Sequence, residues 1–280
     1  MGNCLVTKLN AVVNNDDLIR LNALTVQVNA SNTQVTINKL VDGTVMPVII
    51  EPGDGVTVTG TDPLLPIFNG TGKAYIYDVY DLYEVMSSCF TSYKWEDLKR
   101  CKKLHYFDKA VGVTVDGLTN IDELNVFETN LLKINYKDNA NAPTLFGDFK
   151  DLNTPKLSSI DLRQTGVTGN IAELGRFPIS KITALGNAEI NKNRFNGSLE
   201  DMVAVRRGVR GDTTGSLTWD YPVGTSQACT FNGSPINISV ANVSLTWDAT
   251  TITFNGVTIN NDSVINQSQL EVLRANGYQH

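Results

Sequence analysis

Residues 157–174 read LSSIDLRQTGVTGNIAEL, and the spacing of the apolar side chains in this stretch is irregular. The apolar positions are Leu157, Ile160, Leu162, Val167, Ile171 and Leu174. They lie two, three, four or more residues apart, which matches neither the repeat of one helix nor that of one strand. The change of period is explained by a short strand followed by a segment that leads the chain back to the start of the next strand, which we call the return segment. The stretch therefore predicts one coil of a repeating scaffold.

The same order of apolar and polar positions recurs at uneven intervals. It begins at Cys101, Ile121 and Leu157, with a weaker copy at Ile179, so the starts lie about 20, 36 and 22 residues apart. The end of the quoted stretch, VTGNIAEL, returns at residues 195–202 as FNGSLEDM. One such coil cannot bury its own apolar edge, whereas stacked coils share a core and align their strands in a parallel sheet. The repeats predict a short solenoid over residues 98–215.

The pattern resembles that of leucine-rich repeats over roughly residues 98–203. The copy at residues 157–174 is similar to the subtype whose coil reads LxxLxLxxNxLxGxIPxxL. It departs from that subtype at Thr165, where the family has asparagine, and at Ala172, where the family has proline. Residues 137–156 form a long insertion between the second and third copies. The resemblance implies a solenoid of stacked coils.

Side chains alternate between the two faces of a strand, so the residues between the apolar positions face outward together. This predicts that Phe107 and Phe127 stack in adjacent coils on the outer face, where aromatic side chains favour a partner. Burial of both rings under residues 137–156 or under a neighbouring domain is the alternative. The predicted binding residues of this outer strand face are His105, Phe107, Asn125, Phe127, Asp161, Arg163 and Thr183.

The chain as a whole is predicted to be mainly β with minor α content. Period-two alternation from residue 24 to about residue 60 predicts an antiparallel β domain within residues 1–72, preceded by an arm that pairs with another chain. Residues 73–97 are predicted to form a junction with a short capping helix. In residues 216–280, the sequences SLTWD and TFNG each occur twice, which predicts β-hairpins with Asn-Gly turns, followed by a helix from residue 268. This block is expected to cap the open edge of the solenoid.

Charge and hydropathy exclude several classes of partner. The formal net charge is −6 and the pI is near 5.0, which argues against nucleic acid and anionic membranes, because both attract a basic face. The sequence contains no apolar run long enough for a transmembrane segment and no start typical of a secretory signal. We therefore expect neither a nucleic-acid nor a membrane partner.

The sequence offers little chemistry for catalysis. The four cysteines form no CxxC pair, and one of the two histidines is the last residue, His280, which argues against zinc sites, disulfide frameworks and His-dependent hydrolases. Neither a P-loop nor a GxGxxG motif occurs. We predict no catalytic residue, no metal and no cofactor. The remaining alternative is a glycan-cleaving enzyme that uses two carboxylates. Its candidate residues are Asp122, Glu123, Glu128 and Asp161.

These observations predict a non-enzymatic structural or interaction protein. The two ends of the chain, residues 4–17 and 270–278, resemble accessory virion proteins of tailed phages of gut Bacteroidetes. The resemblance implies a head decoration, fibre or tail-associated component that is assembled in the host cytoplasm. Its expected partners are other virion proteins or a host-surface protein or glycan, within an oligomer or larger assembly. The alternative is a bacterial leucine-rich-repeat module that recognises protein or glycan.

Overall fold

A computed structural model describes residues 22–86, 88–109, 112–127, 131–138, 142–183, 195–219, 224–238 and 243–260. The prediction of a mainly β chain with minor α content is confirmed, since these ranges contain 22 strands and few helices. The chain divides into two compact units, one formed by Met1–Leu104 with Val113–Gly117 and the other by His105–Gly112 with Leu118–His280.

Antiparallel pairing dominates the first unit, as the alternating sequence predicts. Its strands are β1 (Leu24–Gln34), β2 (Thr36–Val41), β3 (Thr44–Pro47), β4 (Ile50–Pro52), β5 (Val56–Thr59), β6 (Ile67–Ile76), β7 (Leu82–Met86) and β8 (Phe90–Lys94), followed by the short helix α1 (Trp95–Leu98). β1 pairs with β6 and β8, β6 also pairs with β4 and β5, and β2 pairs with β3 and β7. The domain boundary expected after residue 72 falls inside β6.

The alternation places one side of β1 in an apolar core. Leu24, Val26 and Val28 are buried there, and the ring of Phe68 meets that of Phe90 edge to face at 5.3 Å between centroids. Each such side chain stabilises the fold by roughly 1.5–3 kcal/mol through burial. The arm expected ahead of β1 falls almost entirely outside the described residues.

Two series of parallel strands organise the second unit. The next strands are β9 (Tyr106–Lys109), β10 (Thr114–Asp116), β11 (Lys133–Tyr136), β12 (Phe146–Asp148), β13 (Ser159–Asp161), β14 (Gly166–Asn170), β15 (Lys181–Thr183), β16 (Phe195–Ser198), β17 (Gly215–Trp219) and β18 (Gly224–Phe231). Of these, β10 belongs to the first unit, where it pairs with β8. β9, β11, β13, β15 and β17 pair in parallel in this order. β12, β14, β16 and β18 form the second parallel series.

Equivalent inward positions of the first series follow one another in register. Phe107, Ile134, Ile160 and Ile182 are aligned, separated by 27, 26 and 22 residues, and all four are buried. From β11 to β18 the chain adds strands to the two series alternately, and neighbouring turns of the chain cover the apolar edges that a single turn would expose to water.

The return segments after the second series share one sequence pattern. The 3₁₀ helices Phe149–Asp151 and Ile171–Arg176 and the helix α2 (Leu199–Arg210) follow Asp148, Asn170 and Ser198, and each of these side chains accepts a hydrogen bond from a backbone N–H of its helix. This is N-capping, which satisfies a donor that the first helical turn leaves unpaired. The glycine before each cap is Gly147, Gly169 or Gly197, and all three have positive φ.

The residues predicted to form the strand of the second coil are wrong. Leu124 and Val126, expected on a strand, lie in the 3₁₀ helix Ile121–Phe127, a return segment equivalent to Ile171–Arg176. The true strand of this coil is β11, ten residues further on. The error arises because apolar-x-x-apolar occurs both ahead of the strands and in the return segments, so the motif alone does not distinguish them.

Antiparallel strands end the described chain. They are β19 (Ser234–Ile238), β20 (Val243–Trp247), β21 (Thr251–Phe254) and β22 (Val257–Asn260). The two SLTW copies pair with each other in β17 and β20, with Leu217 opposite Leu245. The predicted Asn-Gly turn is present between β21 and β22, where Asn255 and Gly256 have φ of 47° and 78°. The helix predicted from residue 268 lies outside the described residues.

Candidate functional site

The outward side of β9, β11, β13 and β15 forms a polar surface, which we call the strand face. Because side chains alternate, the residues on either side of the buried Phe107 and Ile134 point away from the core. The parallel register arranges them in two rows. The outer row is Tyr106, Lys133, Ser159 and Lys181, and the polar row is Asp108, Asn135 and Asp161.

Asp108 and Asn135 are hydrogen-bonded neighbours in the polar row. Asn135 Nδ2 donates to Asp108 Oδ1, which orients the amide. The other amide atom, Asn135 Oδ1, is buried and accepts no hydrogen bond. Burial raises the pKa of the Asp108 carboxyl, against the opposing effect of the nearby cations Lys133 and Lys137. The pair therefore combines a partly desolvated carboxyl with an unsatisfied acceptor.

Asp161 is held by the arginine two residues later. Arg163 Nη2 donates to Asp161 Oδ2 at 2.8 Å, and Arg163 Nε lies 3.1 Å from both carboxylate oxygens. Lys137 Nζ is further away, 4.0 Å from Asp161 Oδ2. A bidentate arginine fixes a carboxylate in both position and charge. Asp161 is therefore a rigid, neutralised end of the polar row, whereas Lys137 is only loosely held.

A buried ion pair supports the strand face from within. Lys109 Nζ contacts Asp138 Oδ1 at 3.0 Å and the Lys137 carbonyl at 2.8 Å, and it lies 4.5 Å from the centre of the Tyr136 ring. Asp138 also accepts from the backbone N–H groups of Thr144 and Leu145. These bonds satisfy both charges inside the unit and tie residues 144–145 to the strand series.

The predicted site residues divide into those on the strand face and those in the core. Asp161 lies on the face, Arg163 adjoins it, and Thr183 ends β15, although its side chain lies outside what the structure describes. The outward placement of Phe107 and Phe127 is wrong, since both are buried at 2% and 1% exposure with ring centroids 6.1 Å apart. Phe107 is the inward residue of β9, in place of the predicted Leu104, so the first repeat begins three residues later than predicted. An odd shift exchanges the two faces of a strand.

Two other predicted residues have structural contacts. His105 precedes β9 and is half-buried, and its carbonyl accepts from the N–H groups of Leu132 and Lys133. Asn125 belongs to a return segment, where its side chain donates to the Asp151 carbonyl at 2.8 Å and accepts from Asn153 N at 2.6 Å. Asn125 therefore links neighbouring coils and does not lie on the strand face.

Sequence reasoning missed Asp108 and Asn135. The sequence did contain a pattern that could have found them. Phe107 and Lys109 share the inward face of one strand, as Ile134 and Tyr136 do in the next, so Asp108 and Asn135 lie on the opposite face. It was hidden because Lys109 carries a charge that a core position does not usually accept. Only the partner Asp138, 29 residues later, explains its burial.

The candidate carboxylates of the enzyme alternative lie on different elements. Asp122 and Glu123 belong to a return segment, and Glu123 Oε1 accepts from the N–H groups of Thr119 and Asn120 at 2.9 Å. Asp161 lies on the strand face, and Glu128 is outside the described residues. Within the ranges that the structure describes, no cluster of three metal-ligating side chains occurs. None of the helices in those ranges is long and apolar enough to span a membrane.

Comparison of the chain with protein-family models, curated proteins and solved structures found no match. The resemblance to leucine-rich repeats and that of the chain ends to phage proteins therefore stay predictions.

Proposed function

We propose that this chain is a non-enzymatic interaction protein that contacts its partner with the strand face. The setting that we propose is the virion of a tailed phage, as a head-decoration, fibre or tail-associated component. We also propose that the coils belong to the leucine-rich-repeat class, which is supported by the aligned inward positions Phe107, Ile134 and Ile160 and by the spacing of 22 to 27 residues.

One observation carries the proposal of a binding face. Asn135 Oδ1 is buried without a hydrogen bond, beside the desolvated carboxyl of Asp108. Buried polar atoms in folded proteins almost always have a partner, and each exception costs about 1–3 kcal/mol. A chain selected for stability alone would replace these groups, so their presence at the outward side of a sheet favours a role in recognition.

The virion setting is tested by finding the chain in particles. Tailed-phage particles purified by density gradient from the culture that expresses the chain would be labelled with antibody and viewed by electron microscopy. We expect label at one defined part of the particle, the head, the tail or a fibre. Particles free of label, with the chain recovered only from the cell fraction, would contradict the virion setting.

The face itself is tested by substitution. Particles would be produced in cells that supply the chain with Lys133→Glu and Arg163→Glu, which reverse two charges of the surface. We expect loss of incorporation. The control is Asp116→Asn on the exposed side of β10 in the other unit, which should incorporate normally. Normal incorporation of the charge-reversed chain would contradict a role for the strand face in assembly.

The alternative function is a bacterial binding module that uses the same face. It is favoured by the strand-face geometry, which does not depend on assembly into a particle. The chain would then be absent from particles and would bind a protein or glycan at the cell surface. The particle experiment separates the two settings because it asks where the chain is found, not what it binds.

A further inference from the structure

In the first unit, β3 lies at the edge of its sheet and carries exposed apolar side chains. Within the described residues it pairs with β2 alone. Val45 and Met46 in β3 are 44% and 40% exposed, and Ile49, two residues after the strand, is 64% exposed. Three of the six large apolar side chains that are most exposed in the described ranges thus lie within residues 45–49. Apolar exposure this concentrated indicates a surface that another segment covers.

The backbone of β3 offers hydrogen-bonding groups at the same edge. Asp42 and Gly43 have φ of 48° and 77°, as in the two-residue hairpin turn whose flanking residues, here Val41 and Thr44, exchange hydrogen bonds. Bonded and unbonded pairs alternate along an antiparallel ladder, so the N–H and C=O of Val45 point away from β2. None of the described strands pairs with them. An added strand can therefore bond to Val45.

β3 lacks the usual protection of a sheet edge. Natural edge strands are kept from pairing by charged side chains, by bulges or by a covering segment. The sequence of β3 is TVMP, without a charge, and its register with β2 is regular. Pro47 removes a backbone donor only at the last position of the strand. Residues 44–46 are thus open to β-strand addition, in which backbone bonds and apolar side chains act together.

The chain itself contains a sequence suited to this edge. Two segments lie before and after the described residues, 1–21 and 261–280. The first includes LVTKLNAVV at residues 5–13, where every second residue from Leu5 to Val13 is apolar except Thr7. This alternation is typical of a strand, and its one charge is that of a lysine. The second segment has the capping-box start of a predicted helix, which does not extend a sheet.

The length of the first segment allows it to reach a neighbouring molecule. Ten residues, 14–23, separate the LVTKLNAVV stretch from the start of β1 at Leu24, and ten extended residues span up to about 33 Å. Val45 is 44% exposed within a single chain, so the strand that covers it comes from another copy. If two copies each lend this stretch to the other, both edges are covered and the assembly closes as a two-fold dimer.

We propose that residues 5–13 of one copy add as a strand to β3 of a second copy, and that the reciprocal exchange forms a dimer. Val45 and Met46 lie on opposite sides of β3. The incoming strand has apolar residues for both sides, Leu9 for one and Val12 for the other. This surface belongs to the first unit, so the inference goes beyond the proposed role of the strand face and does not depend on it.

The occupant of the edge is identified by photo-crosslinking of the purified full chain. The probe is p-benzoylphenylalanine in place of Met46, and mass spectrometry of the crosslinked band locates the residues that it reaches. We expect a dimer band in which the probe is joined to a residue between positions 5 and 13. The matched control is the same probe in place of Phe146, a ring of the second unit that is 47% exposed, which should give no dimer band.

Substitutions on both sides of the contact test its strength, with sedimentation over a concentration series as the measurement. Val45→Pro removes the N–H that points away from β2 and therefore spares the hairpin. Leu9→Lys places a charge in the incoming strand. Each should weaken dimerisation about tenfold or more. Asn3→Lys adds the same charge outside the stretch and should leave dimerisation unchanged. If Val45→Pro fails to fold, Met46→Lys tests the same edge.

Three results would overturn the inference. They are a monomer at every concentration, a crosslink from position 46 to residues 5–13 within a single chain, and a dimer crosslinked at any other segment. The outcome is separate from that of the proposed function. The chain with Lys133→Glu and Arg163→Glu should still dimerise, since both residues lie in the second unit. If it were monomeric, the copies would meet through the strand face and not through β3.

Discussion

A carboxylate oxygen of Asp148 lies where the side chain of Gly169 would begin: a Cβ on Gly169 would approach Asp148 Oδ1 to 2.6 Å. Asp148 caps the return segment of one coil, and Gly169 precedes the cap of the next. The relationship repeats along the second parallel series, because Asn120 lies against Gly147 and Asn170 against Gly197 in the same way. A cap in each coil thus requires a glycine in the coil that follows.

Gly169→Ala should therefore destabilise the second unit. The added methyl group meets the Asp148 side chain and the backbone at Phe149, and the φ of 126° is strained for alanine. Overpacking and strain together predict a loss of about 2 kcal/mol or more in the free energy of unfolding. Chemical denaturation followed by circular dichroism measures it. Gly233→Ala is the control, since it has positive φ but no atom within 4 Å, and it should lose only about 1 kcal/mol.

The buried pair of Lys109 and Asp138 predicts a large effect when one partner is removed. Lys109→Ala leaves the Asp138 carboxylate buried without its cation, and such losses cost about 3–5 kcal/mol. The exposed pair of Lys99 and Glu96 is the control, and Lys99→Ala should change stability by less than about 1 kcal/mol. Equal losses for the two lysines in denaturation curves would mean that the buried pair does not hold the coil together.

The repeat was predictable from the sequence, but its phase was only partly so. The copy at residues 157–174 contains an unambiguous strand and return segment, and both Ile160 and Leu174 are buried as expected. The coil before it was misplaced because its strand, KINY, contains one aliphatic side chain and its return segment, IDELNVF, contains three. Hydrophobic spacing alone therefore favoured the wrong segment.

The candidate site was less predictable than the fold, for a physical reason. Asp108 and Asn135 are neighbours only after two strands 27 residues apart have paired, and no local pattern reports that register. Lys109 reads as a solvent-facing residue until its contact with Asp138 is known. The missed residues are those whose environment is created by contacts between coils.

The pH dependence of Asp138 follows from its hydrogen bonds. Burial alone would raise its pKa, but donors from the Thr144 backbone and from Lys109 outweigh burial, so the pKa is lowered in the fold. A lowered pKa stabilises the fold above the unfolded value of about 3.9, and this contribution is lost as pH falls through the folded value. Asp138→Asn should therefore differ most from the unchanged chain at pH 7 and least near pH 2. Denaturation at several pH values measures the difference, and a constant difference would contradict the assigned bonds.

Asp108 should behave in the opposite way. Burial raises its pKa, so the folded chain holds this proton more tightly than the unfolded chain does. Stability is therefore lost as pH rises from the unfolded value of about 3.9 to the folded value, and the loss is complete above the folded value. Asp108→Asn removes that cost while an amide oxygen can still accept from Asn135. We expect a higher thermal midpoint than that of the unchanged chain at pH 7 and nearly the same midpoint near pH 2.5. If the substitution instead lowered the midpoint at pH 7, the carboxylate would be serving stability, and its place in a binding face would lose its main support.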